Sequence, residues 1–187
     1  ARRDLRGGRR ATGVPTLICR DMKRAVSTLL LLILTCKISC SPKVMLDYDQ
    51  WIALDAESLA ETGIAEAYGD LTPHLVGLGI SPDPIEEITN SDLPSYAVRH
   101  KDTVYQVYGP DMPEEHHAWG RATYVLFAIV NSQLQESEVR FYATHGGNDL
   151  GGFFLRPEMA EKARGMSNKR DWPYVPDLEN PWYGQPH

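Results

Sequence analysis

Residues 122–130 read A-T-Y-V-L-F-A-I-V and decide the fold that this sequence predicts. The run is apolar almost all round instead of along one stripe, which is typical of a helix that is buried on every side. Nine apolar residues are too few to cross a bilayer, which needs about 20. We therefore predict that residues 111–134 contain the most buried helix of a globular domain, packed on a sheet.

Upstream of this segment the sequence predicts one helix and three strands. Asp55 is placed to cap a helix, and four apolar residues behind it fall on one helical stripe. Residues 84–89 are typical of a short edge strand, and two segments rich in Val and Tyr, separated by Lys101-Asp102, are typical of a hairpin. The stripe consists of Ile64, Tyr68, Leu71 and Leu75, and the hairpin of residues 96–100 and 103–108.

Downstream, two strands and a short helix follow. Residues 139–144 alternate between apolar and polar side chains, which predicts a half-buried strand, and residues 153–155 form its partner. Pro157 begins a small helix that Gly165 ends. The resulting order predicts an α+β domain over residues 42–170. Its mainly antiparallel sheet of about five strands packs against a buried central helix, with a first helix and a short C-terminal helix.

The charges and cysteines divide the chain near residue 45. Residues 1–45 contain ten Lys/Arg and two Asp, whereas residues 46–187 contain nine Lys/Arg and twenty-three Asp/Glu. Lys23 and Arg24 precede an uncharged apolar run of about eleven residues, the length of a secretory signal core. All three cysteines precede residue 41, so the folded part is expected to have no disulfide, thiol nucleophile or Cys-type zinc site.

Residues 22–41 resemble a bacterial lipoprotein or secretory signal peptide. The resemblance implies export to the bacterial cell envelope or periplasm, with Cys36 or Cys40 lipidated as the mature N-terminus. Neither cysteine follows the usual small residues, so a cleaved soluble form is the alternative, and a buried helix of a cytosolic domain is another. Any membrane contact would be made only through the lipid anchor or the signal peptide.

The Arg-rich residues 1–21 have no apolar periodicity. Because a signal-like segment starts at Met22, we interpret them as a disordered, non-native extension upstream of the true start. The alternative is a basic arm for nucleic acid or targeting. The acidic remainder of the chain has no basic patch and is not expected to bind nucleic acid.

A glycine-rich loop, H-G-G-N-D-L-G-G, spans residues 145–152. Its spacing matches neither of the glycine-rich phosphate-binding motifs, and it lacks the alternating carboxylates of an EF-hand. Glycines that permit positive φ, and polar side chains that bond to their own backbone, favour a rigid chain reversal. The loop is predicted to present a binding surface, formed by Gly146, Gly147, Asn148 and Asp149.

Histidines near this loop raise a catalytic alternative. His145 and Asp149 could act as a base and its orienting acid, and His117 is a further candidate, but no nucleophile motif accompanies them. Adjacent histidines on a helix point about 100° apart, so the pair at 116–117 is not expected to share a metal ion. A hydrolase or metal-dependent enzyme is therefore the second hypothesis, and no metal or cofactor is predicted.

The C-terminal residues 171–187 are rich in proline and aromatic side chains, which predicts a strap laid across the domain. A recognition arm is the alternative, because Pro173 and Pro176 have P-x-x-P spacing. The tail's binding candidates are Trp172, Tyr174 and Trp182. An acidic surface favours a cationic protein partner. The sequence thus predicts a non-enzymatic, inhibitor-like or immunity-like binding module.

Overall fold

The computed structural model describes residues 46–112 and 117–179. The strands are β1 (Ile52–Ala53), β2 (Ile85–Asn90), β3 (Ser95–His100), β4 (Thr103–Tyr108), β5 (Arg140–Thr144) and β6 (Gly151–Leu155). The helices are α1 (Ile64–Gly77), α2 (Ala118–Gln133) and α3 (Pro157–Arg164). A helical turn, Ala56–Ser58, precedes α1, and 3-10 turns occur at Tyr48–Gln50, Gly147–Asp149 and Lys169–Asp171. The predicted extension 1–21, signal peptide 22–41, Cys36, Cys40, His116 and Trp182 lie outside the described residues.

The predicted helical stripe is confirmed, but its helix begins later than expected. All four stripe residues are buried on α1. Asp55 caps only the preceding helical turn, where its Oδ1 accepts from Glu57 N at 2.9 Å. The chain then kinks at Thr62, whose φ is 72°. Gly63 permits this kink, because a Cβ there would lie 2.5 Å from Ser58 O.

The α+β class is confirmed, whereas the single sheet of about five strands is wrong. Sheet A has the order β1-β6-β5 and sheet B the order β2-β3-β4, and both are antiparallel. The predicted edge strand is β2, and the predicted hairpin is β3 and β4. Sheet B is therefore a local meander, while sheet A joins distant parts of the chain.

Sheet A ends at β5 because the outer edge of this strand is already occupied. The Asn131 side chain of α2 donates to Phe141 O at 2.9 Å and accepts from Phe141 N at 2.8 Å. Two residues along, Ala143 exchanges two backbone bonds with Tyr174, at 2.7 and 2.8 Å. These contacts occupy the outward-facing backbone N–H and C=O groups of β5, which belong to Phe141 and Ala143. An edge whose backbone groups are occupied cannot add another strand.

Helix α2 is the most buried helix, as predicted, with eight buried residues against four on α1 and two on α3. It contacts β4 of sheet B and β5 of sheet A. The Phe127 ring stacks on the Phe141 ring with 4.4 Å between ring centroids, and the Phe141 ring stacks on the Phe154 ring with 4.5 Å between centroids. The core is therefore organised around this helix, with one sheet on each flank.

Strand β5 was expected to be half-buried, and that expectation is wrong, because Tyr142 and Thr144 are buried as well as Phe141 and Ala143. Residues just before β1 cover the second face. Trp51 Nε1 donates to Thr144 Oγ1 at 3.1 Å. The ring of Tyr48 meets Phe153, the cross-strand partner of Tyr142, edge to face at 5.6 Å.

Candidate functional site

The glycine-rich loop forms a tight reversal between β5 and β6. His145 and Gly147 have φ values of 57° and 58°, in the left-handed region. Asp149 N donates to Gly146 O, and Leu150 N to Gly147 O, each at 3.2 Å. The Leu150 side chain is fully buried. A buried anchor and internal hydrogen bonds fix the loop's shape.

The exposed part of this loop is attached to the segment that precedes α1. Asn148 Nδ2 donates to Glu57 Oε2 at 3.1 Å, and Leu54 N donates to Leu150 O at 2.8 Å. Asn148 and Asp149 are exposed. Asp149 therefore adds a carboxylate to a surface that already contains Glu57.

The second glycine pair serves packing. A Cβ on Gly151 would lie 2.1 Å from the Trp51 ring, and a Cβ on Gly152 would lie 2.4 Å from the Phe141 ring. These residues admit one aromatic ring on each face of β6. Of the loop glycines, Gly147 has open space around it, since a Cβ there would meet nothing within 4 Å.

Of the catalytic candidates, His145 and Asp149 are not bonded to each other. No hydrogen bond or ion pair links His145 to Asp149 within residues 46–112 and 117–179. The carbonyl of His145 accepts from Tyr174 Oη. His117 lies at the N-cap of α2. In the same part of the chain no group of three or more His, Cys, Asp or Glu is arranged to hold a metal.

The tail reaches β5 at Tyr174, beside the glycine-rich loop. Tyr174 pairs with Ala143 through its backbone and bonds to His145 through its hydroxyl. Arg164 Nε of α3 donates to Pro173 O at 2.7 Å. The ring of Trp172 donates to Ser167 O at 3.2 Å and is 37% exposed. This part of the tail closes the edge of sheet A.

The sequence analysis missed a segregation of charges along the domain. Residues 46–98 contain eleven Asp/Glu and no Lys/Arg, and every Lys/Arg of the described chain lies between 99 and 170. The net charge of residues 46–187 concealed this signal, although a shorter counting window would have found it. Glu86 and Asp83 of this half pair with Arg99 and Lys101, whereas strand β1, at the edge of its sheet, and helix α1 contain no Lys/Arg and have no ion pair in the described chain.

An acidic groove of about 430 Å³ lies between β1 and α1 within this half. Its apolar lining includes Ile52, Leu54 and Leu59, and its carboxylates are Asp55, Glu66 and Asp70. None of the three carboxylates forms an ion pair with a described residue. Asp55 accepts from backbone N–H groups, whereas Glu66 and Asp70 are exposed on α1.

The N-terminus of α1, beside this groove, is already capped from sheet B. Ala65 N donates to Glu87 Oε1 at 3.0 Å, and Ile64 N donates to the Tyr96 hydroxyl at 3.3 Å. The Tyr96 hydroxyl in turn donates to Glu87. Burial, and next the Glu87 carboxylate, raise the pKa of Tyr96 well above its usual range. The positive end of this helix is thus occupied by a carboxylate of the chain itself.

A second cleft, also of about 430 Å³, lies at the N-terminus of α2, where its lining includes Tyr108, Met112, Trp119 and Arg121. Arg121 Nε donates to Val107 O there.

None of the helices in the described part of the chain has the length and apolar character that a bilayer crossing needs. Comparison of the chain with protein-family models, with curated protein sequences and with solved structures gives no match.

Proposed function

We propose that this chain is a non-enzymatic, inhibitor-like or immunity-like binding module of the bacterial cell envelope that docks a basic protein partner. The observation that carries the proposal is the wholly acidic half of the domain, residues 46–98, with its groove between β1 and α1. Such a surface attracts a positively charged partner and accelerates its association.

Two carboxylates of the groove are neighbours on α1. Glu66 and Asp70 lie four residues apart on α1, and a like-charge pair at this spacing destabilises a helix. No described cation offsets either of them. Glu66 lies in the first turn of α1, where the helix dipole favours a carboxylate, whereas Asp70 lies one turn further along the helix.

The signal-like residues 22–41 support the envelope location. Lipidation at Cys36 or Cys40 would tether the domain, and cleavage without lipidation would release it in soluble form. Intact mass measurement of the chain recovered from a bacterial envelope fraction tests this part. An added diacylglyceryl group on either cysteine fits the tether, and an uncleaved chain in the cytosol would contradict export.

The partner proposal is tested by capture from a periplasmic extract on the purified 187-residue chain. We compare wild type with Glu66→Gln/Asp70→Asn. The matched control, Asp102→Asn/Glu136→Gln, removes two exposed carboxylates that have no ion pair in the described chain. A basic protein retained by wild type and control, and lost by the groove variant and in about 0.3 M salt, fits the proposal.

The loop is tested in the same experiment with Asp149→Ala, which is expected to weaken retention less than the groove variant does. Equal retention by every variant, unaffected by salt, would show that the acidic half does not bind the partner. For the hydrolase or metal-dependent alternative, which uses His145, Asp149 and His117, the described residues offer neither a hydrogen bond between His145 and Asp149 nor a metal-holding group of three or more His, Cys, Asp or Glu.

A further inference from the structure

Strand β1 has an unpaired edge that faces the acidic groove. Its Ala53 pairs with Gly151, and Leu54 N donates to Leu150 O. Because hydrogen-bonded pairs alternate along an antiparallel ladder, the N–H and C=O of Ala53 point away from β6. No other described strand lies on that side, and Ala53 is exposed and lines the groove. One main-chain donor and one acceptor are thus available there.

The other edge of the same sheet is treated differently. On β5, the Asn131 side chain and the Tyr174 backbone take both outward-facing residues. Proteins cover exposed sheet edges because an open edge pairs with other chains. The described chain thus closes one edge of sheet A and leaves the edge beside the carboxylates accessible.

The charges beside the open edge indicate what would occupy it. Glu66 and Asp70 occupy successive turns of α1, with Cβ atoms about 5–6 Å apart. In an extended strand, side chains two residues apart lie about 7 Å from each other on the same face. Lysine or arginine at alternate positions of an extended segment therefore has a spacing close to that of the two carboxylates, which line the same groove as Ala53.

We propose that β1 binds an extended basic segment of the partner as an added strand, with Lys or Arg at alternate positions directed at Glu66 and Asp70. This inference rests on the proposed function and specifies its docking mode. Backbone bonds to Ala53 supply affinity in strand addition, and side-chain pairs supply specificity.

The test measures fluorescence anisotropy of labelled ten-residue peptides with the purified 187-residue chain. The first peptide alternates lysine and threonine. The second has the same composition, with the five lysines contiguous. The third is the alternating peptide with every amide N-methylated, which keeps the charges and removes the main-chain donors. We expect the first peptide to bind at least about fivefold more tightly than either control, the effect of one hydrogen bond.

Protein variants locate the binding. Ala53→Pro removes the outward N–H, and proline is tolerated at an edge position of this kind, so it should weaken the alternating peptide by a similar factor. Glu66→Gln/Asp70→Asn should weaken all the cationic peptides, and Asp102→Asn/Glu136→Gln should weaken none. Circular dichroism checks folding, and if Ala53→Pro does not fold, the N-methylated peptide on wild type decides the question.

If the three peptides bind with equal affinity, and Ala53→Pro does not change that affinity, strand addition is wrong. The proposal of a basic partner would still stand. If no peptide binds, strand addition at β1 is wrong whatever the capture experiment shows. If the wild-type chain captures no basic protein in a salt-sensitive way, in contrast, the proposed function itself is wrong.

Discussion

At the scale of single residues, Gly151 and Gly152 determine how sheet A packs. Each glycine receives an aromatic ring on one face of β6, from Trp51 and Phe141 respectively. Trp51 also bonds to Thr144, and Phe141 belongs to a stack that reaches α2. A ligand-binding function is not needed to explain this pair of glycines.

Gly152→Ala is expected to destabilise the protein by about 1–3 kcal/mol, because its Cβ would overlap the Phe141 ring and force a rearrangement of the stack. Urea unfolding measures the change in the free energy of unfolding. The comparison is Gly69→Ala on α1, where a Cβ would meet nothing within 4 Å. That change should stabilise by about 0.5–1 kcal/mol. Equal effects of the two substitutions would contradict the packing argument.

At the scale of elements, helix α1 obtains its cap from sheet B instead of from its own sequence. Gly63 offers no side-chain cap, and the Ile64 and Ala65 N–H groups bond to Tyr96 and Glu87. The buried hydroxyl of Tyr96, on β3, thus connects this strand with Glu87 on β2 and with the N-terminus of α1. This cap could not be read from the sequence, because it joins residues more than twenty positions apart.

Tyr96→Phe is expected to cost about 1–3 kcal/mol of stability, because it removes the acceptor of the buried Ile64 N–H and one of the two donors to the Glu87 carboxylate. The control is Tyr108→Phe, whose ring contacts Tyr96 at 5.9 Å and whose hydroxyl makes no hydrogen bond within the described chain. Chemical denaturation of both variants gives the comparison. A cost for the control as large as that for Tyr96→Phe would argue against the capping role.

Asn131 stabilises a second element, the outer edge of β5. Asn131→Ala should remove two hydrogen bonds and lower stability by about 2 kcal/mol. It should also speed amide exchange at Phe141, the residue that loses its acceptor. Ser132→Ala, on the neighbouring position of α2, removes only a bond within the helix and serves as control. Unchanged exchange at Phe141 would show that Asn131 does not close the edge.

Periodicity predicted the elements that form locally, and pairing determined the ones it missed. The stripe on α1 and the β3–β4 hairpin follow from spacing and from the turn at Lys101, whose φ of 54° allows the reversal. Strand β1 has two residues and exists only through its pairing with Gly151 and Gly152. The groove was likewise unpredictable, because it needs β1 and α1 side by side.

At the scale of the whole molecule, Asp83 connects both major helices with sheet B. Its carbonyl accepts from Tyr68 Oη at 2.7 Å, and its N–H donates to Gln133 Oε1 at 2.8 Å. Its carboxylate lies 2.8 Å from Lys101 Nζ and 3.4 Å from the Nε2 atom of the buried His100. Hydrogen bonding to Lys101 holds the pKa of Asp83 below its usual range.

A lowered pKa makes this junction sensitive to acid. A carboxyl group whose pKa is lower in the folded than in the unfolded state stabilises the fold at pH values above its unfolded-state pKa, which is about 3.9 for Asp. This stabilisation disappears as the pH falls through the folded-state pKa. Asp83→Asn should therefore lower stability at pH 7 and by less at pH 3. Urea titrations at both pH values, with Asp102→Asn as control, measure this. A constant difference between Asp83→Asn and wild type would contradict the assignment.

The separation of the two sheets also orders the steps by which the chain folds. Sheet B is closed by short turns within residues 85–108, whereas Trp51 and Thr144 meet across 93 positions. Short loops cost less entropy to close, and local contacts form faster. We expect the meander to nucleate early and β1 to dock in the final loop closure. The groove then comes into existence only with that last step, so a nascent or partly folded chain would have no docking edge to offer.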